Sequence, residues 1–127
     1  IAVPTYRPEH YNEVLFLASQ YYYNQYDYDK AIETVHVQRE WAKMVYGEDS
    51  YEYGLTLANE AMSLIEKEEY DKCLELFDEA RGIFSILTDK QPENENYRIA
   101  RDQIWEYIIY VYDLINEERE GQRDDNE

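Results

Sequence analysis

The sequence predicts an all-α fold: antiparallel helical hairpins stacked as two repeats and closed by a fifth, capping helix. Three observations carry this expectation. One hairpin is written twice, 42 residues apart, because Tyr28-Asp29-Lys30 returns as Tyr70-Asp71-Lys72, Leu15 as Leu57 and Glu33 as Glu75. A fixed period of this kind denotes a stack of helix pairs, in which no single pair buries its own face. Apolar residues also recur at helical spacing through long segments. Finally, four glycines and three prolines in 127 residues favour long helices over a strand-and-turn fold.

The elements follow in order. Residues 1–8 hold Pro4 and Pro8 and read as an extended lead-in to a helical domain over 9–118. The first helix runs from Glu9 to Asn24, with Val14, Leu15, Ala18 and Tyr22 on one face. Tyr26-Asp27-Tyr28-Asp29 makes the turn, and either Asp27 or Asp29 can cap the next helix. The second helix, Tyr28 to Tyr46, carries Ala31, Val35, Gln38, Ala42 and Val45 along one stripe, and Gly47 is a good stop. Ser50 sits where the N-cap of a third helix belongs.

That third helix, Tyr51 to Lys67, has two apolar stripes: Leu57, Ala61 and Leu64, and Leu55, Ala58, Met62 and Ile65. A surface helix needs one stripe, so two imply neighbours on two sides. The fourth helix, Tyr70 to Leu87, turns Leu74, Phe77, Ala80, Phe84 and Leu87 inward. Thr88 to Glu95 contains Pro92 and reads as a loop before a fifth helix from Asn96 to Glu118. One stripe of this helix, Trp105, Ile108, Ile109, Tyr112 and Ile115, is expected to pack on the third and fourth helices. A second stripe, Ile104, Tyr107, Val111 and Leu114, is expected to face away. A terminal helix needs a polar outer face, so an uncovered stripe there reads as a self-association surface, helix 5 against helix 5 in a two-fold dimer. Residues 119–127 lack apolar side chains and read as an acidic disordered tail.

Composition narrows the functional classes. A first residue of Ile1 instead of Met suggests a piece of a longer protein. No apolar run approaches the ~20 residues needed to span a bilayer, so no membrane role is expected. Cys73 is the sole cysteine, which excludes an internal disulfide and fits a cytoplasmic, reducing setting. A net charge of −17 argues against nucleic acid, whose phosphates need Lys and Arg, and favours basic partners.

No motif points to catalysis, a metal or a cofactor. Asp49 to Glu60 is spaced like a calcium loop, but Tyr51 and Tyr53 stand where oxygen ligands belong. His10 and His36 have no partner at a recognisable spacing, and Cys73 falls on a buried stripe as a small hydrophobe. No glycine-rich phosphate loop is present. Fifteen tyrosines are an excess, and Tyr21-Tyr22-Tyr23 cluster at the first turn. An exposed Tyr23 beside carboxylates could hold Lys or Arg by a cation–π contact.

The pattern resembles the tetratricopeptide repeat. Gly54-Leu-Thr-Leu-Ala-Asn59-Glu-Ala61-Met-Ser-Leu64 followed by Tyr70-Asp-Lys-Cys73 fits it, with Ala61, Cys73 and Ala80 in the small-residue slots. In the first repeat those slots hold Ser19, Ala31 and Gln38, and Gln38 departs from the pattern. Trp105-x-x-Ile108-Ile109-x-x-Tyr112 matches the first-helix signature, except for Ile109 in place of a small residue. The 42-residue spacing is similar to the kinesin light chain type rather than the usual ~34-residue repeat, and similar repeats end SET-MYND methyltransferases.

The resemblance implies a concave face lined by first helices: Glu13, Phe16, Gln20, Tyr23 and Asn24, then Leu55, Asn59, Met62 and Glu66. Asn59 matches an asparagine with which the family holds a peptide backbone, and the corresponding residue of the first repeat is Leu17. With Glu13, Gln20 and Glu66 in place of a basic clamp, terminal carboxylates of chaperone tails are unsuitable ligands. The expected function is therefore protein–protein interaction without catalysis, the groove holding a basic or mixed aliphatic peptide. The alternatives are a self-association segment and a regulatory appendage of a larger enzyme.

Overall fold

The computed structural model describes residues 8–125. Among them are five helices: α1 (Pro8–Asn24), α2 (Tyr28–Tyr46), α3 (Tyr51–Glu66), α4 (Tyr70–Lys90) and α5 (Glu95–Asp125). The fold is all-α, and each helix packs on its neighbours in the chain, with α5 also touching α3. The lead-in expected over 1–8 lies outside the described residues except for Pro8, which opens α1.

The repeat is legible in the backbone of the two hairpin turns. Tyr26 and Glu68, 42 residues apart, are among the described residues the two non-glycine ones with positive φ, at 61° and 59°. After α1, the amide of Tyr26 donates to Tyr23 O at 3.0 Å and that of Asp27 to Tyr22 O at 2.9 Å. After α3, Glu68 donates to Ile65 O and Glu69 to Leu64 O, both at 3.0 Å. This paired pattern closes a helix on a left-handed residue and satisfies its last carbonyls. The following N-termini differ. Asp27 accepts from the amide of Lys30 at 3.2 Å, whereas Glu69 makes no side-chain cap. Ser50 caps α3 by accepting from Tyr53 N at 3.1 Å, and Gly47, with φ 96°, closes α2.

The core is uneven. Leu57, Ala61, Leu64 and Ile65 of α3 meet Cys73, Phe77, Ala80 and Phe84 of α4 and Ala100, Ile104, Ile108 and Val111 of α5 in one buried cluster. The first hairpin contributes only Ala31, Val35 and Ala42 as fully buried apolar residues, all from α2. Ser19 and Gln38 occupy its crossing instead. Val14 and Val45, expected on packed faces, are 61% and 43% exposed.

Two expectations at the C-terminal end are corrected. The expected outward stripe of α5 turns inward: Ile104 and Val111 are buried, and Tyr107 and Leu114 pack against the core, as Ile108 and Ile115 of the other stripe do. Trp105, Ile109 and Tyr112 are 49%, 46% and 54% exposed instead. The two lines lie about 100° apart on the helix. The inward one begins at Ala100 and runs on through Ile104, Ile108 and Val111. Trp105 covers the guanidinium of Arg81 from outside, 4.9 Å from ring centroid to Cζ. The acidic tail is not disordered where it is described, because α5 continues as helix to Asp125.

Gly54 marks a close approach of α3 to Phe84 of α4. A Cβ there would lie 2.6 Å from Phe84 Cε1, and the fully buried Phe84 ring is braced by Tyr51 at 5.6 Å. Helix propensity alone predicts that Gly54→Ala stabilises by about 1 kcal/mol. The contact reverses the sign, and urea denaturation should show a loss of about 1–3 kcal/mol. A gain would place α3 and α4 further apart than described.

Candidate functional site

A groove runs between α1 and α3 and consists of two adjoining hollows. The upper one, about 430 Å³, is lined by Asn12, Glu13 and Phe16 of α1, Gln38 of α2, and Glu52, Leu55 and Asn59 of α3. The lower one, about 210 Å³, is lined by Ser19, Gln20, Tyr23, Val35, Asn59, Met62, Ser63 and Tyr107. Asn59 belongs to both. Local sequence explains the placement. Leu55, Asn59 and Met62 follow one another at three- and four-residue steps, so they share the face of α3 turned from α4. Glu13, Phe16, Gln20 and Tyr23 do the same on α1.

Seven of the nine residues expected on the concave face thus line the groove, and Glu66 joins at its lower end. Asn24 is exposed and lines neither hollow. Tyr23 is not a free aromatic plate. Its hydroxyl donates to Glu66 Oε1 at 3.1 Å, and its ring meets Tyr28 edge-on at 5.4 Å. It acts as a strut from α1 to α3 that closes the groove. Tyr107, expected on an outer face, forms part of the lower wall and stacks on Phe77 at 5.7 Å.

The lining carries carboxylates, amides and apolar surface, and it includes no Lys or Arg. Among the described residues the Asn59 amide has no hydrogen-bond partner, so it can offer a donor and an acceptor to one peptide unit. Gln38 Nε2 donates to Asn12 Oδ1 at 2.9 Å. Its Oε1 is buried and unpartnered. The Gln38 that breaks the small-residue pattern is therefore a polar lining group of the upper hollow.

Between α2 and α3 lies a charge cluster around one buried carboxylate, for which sequence spacing offers little signal. Glu60 is fully buried, and Arg39 Nη1 donates to its Oε2 at 2.5 Å. Arg39 Nη2 lies 2.8 Å from His36 Nδ1. The guanidinium can only donate, so Nδ1 accepts and the ring proton sits on Nε2. Nε2 lies 2.7 Å from Glu60 Oε1, close but without hydrogen-bond alignment. The one sequence cue is that Glu60 stands on the Leu57–Leu64 stripe, where a carboxylate requires a partner. Cys73 is buried, and burial pushes its thiol up to about 12, which keeps it protonated and unreactive.

Compared with models of known protein families the chain matches none, and a comparison with curated proteins finds no match. No helix among the described residues is long and apolar enough to cross a membrane.

Burial first, then the charge of Glu66 and the hydrogen bond to it, push the Tyr23 hydroxyl up to about 12. The folded state therefore holds this proton more tightly than the unfolded chain, whose value is 10.0. The contribution is complete below pH ~10 and is lost as pH rises towards ~12. Urea midpoints measured across that window should fall less steeply for Tyr23→Phe than for the unmutated chain. Equal slopes would mean that the strut does not form.

Proposed function

We propose that the chain is a tetratricopeptide-type interaction module whose α1–α3 groove holds an extended, basic segment of a partner protein. The observation that carries this reading is the unpartnered amide of Asn59 at the junction of two hollows whose lining contains carboxylates but no cation. An amide at that position can pair with a peptide unit, and the carboxylates favour a positive ligand. The 42-residue recurrence of the Tyr26 and Glu68 turns supports the repeat assignment. A net charge of −17 supports a partner of opposite sign.

Selection of displayed random nonapeptides on the domain tests this. The enriched peptides should carry Lys or Arg, and their amide shifts should map to α1 and α3. Asn59→Ala should weaken them by about 1–3 kcal/mol with the thermal melt unchanged. Unaltered affinity in Asn59→Ala, or shifts confined to α5, would overturn the groove reading.

Self-association is the second reading, and it now rests on a different line of α5 from the one the sequence suggests. Trp105, Ile109 and Tyr112 leave a line of half-exposed apolar surface there. Sedimentation at ~100 μM, well above a typical ~1 μM dissociation constant, would register a dimer. A monomer at that concentration rules it out.

A further inference from the structure

We infer that the lower hollow is a carboxamide pocket that seats a glutamine side chain of the bound segment, an inference that rests on the groove reading and names a side chain it selects. The two hollows differ in charge. Glu13 and Glu52 line the upper one, whereas no charged side chain lines the lower one. At about 210 Å³ the lower hollow is also the smaller. The independent sign of a missing ligand is Ser63, one turn beyond Asn59 on α3. Ser63 is 2% exposed and lines the lower hollow, and its hydroxyl has no hydrogen-bond partner among the described residues. The little surface it keeps includes that oxygen, because the side-chain atoms both sealed and unpartnered are Gln38 Oε1, Glu60 Oε1 and Arg81 Nε. A ligand in the hollow can therefore reach it. Across the hollow, the Gln20 amide of α1 is likewise without a partner among the described residues.

A neutral group that both donates and accepts fits this set. The Ser63 hydroxyl can donate to the carbonyl of a carboxamide, and the Gln20 amide can pair with its N–H₂. Val35 and Met62 supply apolar surface for the methylene stem. A carboxylate would enter without a cation to meet it, at a cost in desolvation. An apolar side chain would cover the Ser63 hydroxyl and leave it unpaired. The one carboxylate at the lower end, Glu66, already accepts from Tyr23 at 3.1 Å.

The test uses the full chain and four acetylated, amidated heptapeptides of alanine and leucine with a lysine at each end. Their central residue is glutamine, glutamate, norleucine or lysine, and titrations are followed by amide shifts and fluorescence anisotropy. The glutamine peptide should bind about fivefold more tightly than the norleucine peptide, the scale of a neutral hydrogen bond. Ser63→Ala should remove most of that preference, with the norleucine affinity and the thermal melt unchanged. Gln20→Met should act in the same direction. Equal binding of glutamine and norleucine peptides with shifts on α1 and α3, or a preference that survives Ser63→Ala, overturns the carboxamide pocket and leaves the groove standing. Glutamate or lysine binding as tightly as glutamine overturns the choice of a neutral side chain. Binding of none of the four overturns both readings.

Discussion

The position of α3 governs the rest of the molecule, and two unlike contacts fix it. On the side of α4 the contact is steric. Gly54, Ala61, Cys73 and Ala80 remove side-chain volume, and Phe84 fills the space that Gly54 leaves. On the side of α2 the contact is electrostatic: a fully buried Glu60 held by Arg39, with His36 alongside. Close packing is unforgiving of a shift of even one methylene. A buried carboxylate is equally unforgiving of losing its cation. Together they set the rotation and height of α3, and with them the direction in which Leu55, Asn59 and Met62 point.

How much of this was legible in the sequence depends on the range of the interaction. Turns and caps are local, and their residues announce them: Asp27, Gly47 and Ser50 all act where their chemistry places them. The packed face of α4 was legible because Leu74, Phe77, Ala80, Phe84 and Leu87 form one unbroken stripe. The face of α5 was not, because it carries two apolar lines. Which one turns inward depends on the helices that α5 meets, a property of the packing and not of the helix. The Glu60 cluster was hidden for a similar reason. His36 and Arg39 sit one turn apart on α2, and their partner stands 21 residues or more down the chain.

The groove was legible as a face but not as a set of states. The spacing of Glu13, Phe16, Gln20 and Tyr23 selects one side of α1 whatever its neighbours do. Sequence alone does not say that Tyr23 is engaged by Glu66, that Asn59 is unengaged, or that Gln38 has one end satisfied and the other bare. Those distinctions separate a residue that braces the site from one that can meet a ligand. They depend on distances of a few ångströms between side chains from different helices.

The uneven core has a further consequence. The α3–α4–α5 cluster holds most of the buried apolar residues, while α1 is attached through Ser19, Gln38 and a few partly covered side chains. Local opening follows the density of apolar contact. The amides of α1 are therefore expected to exchange through a detachment that leaves α3 to α5 closed. The groove is built across that seam, so it ceases to exist each time α1 lifts away. A ligand seated in it would act as a latch, slowing the escape of one helix from a platform that holds itself together without it.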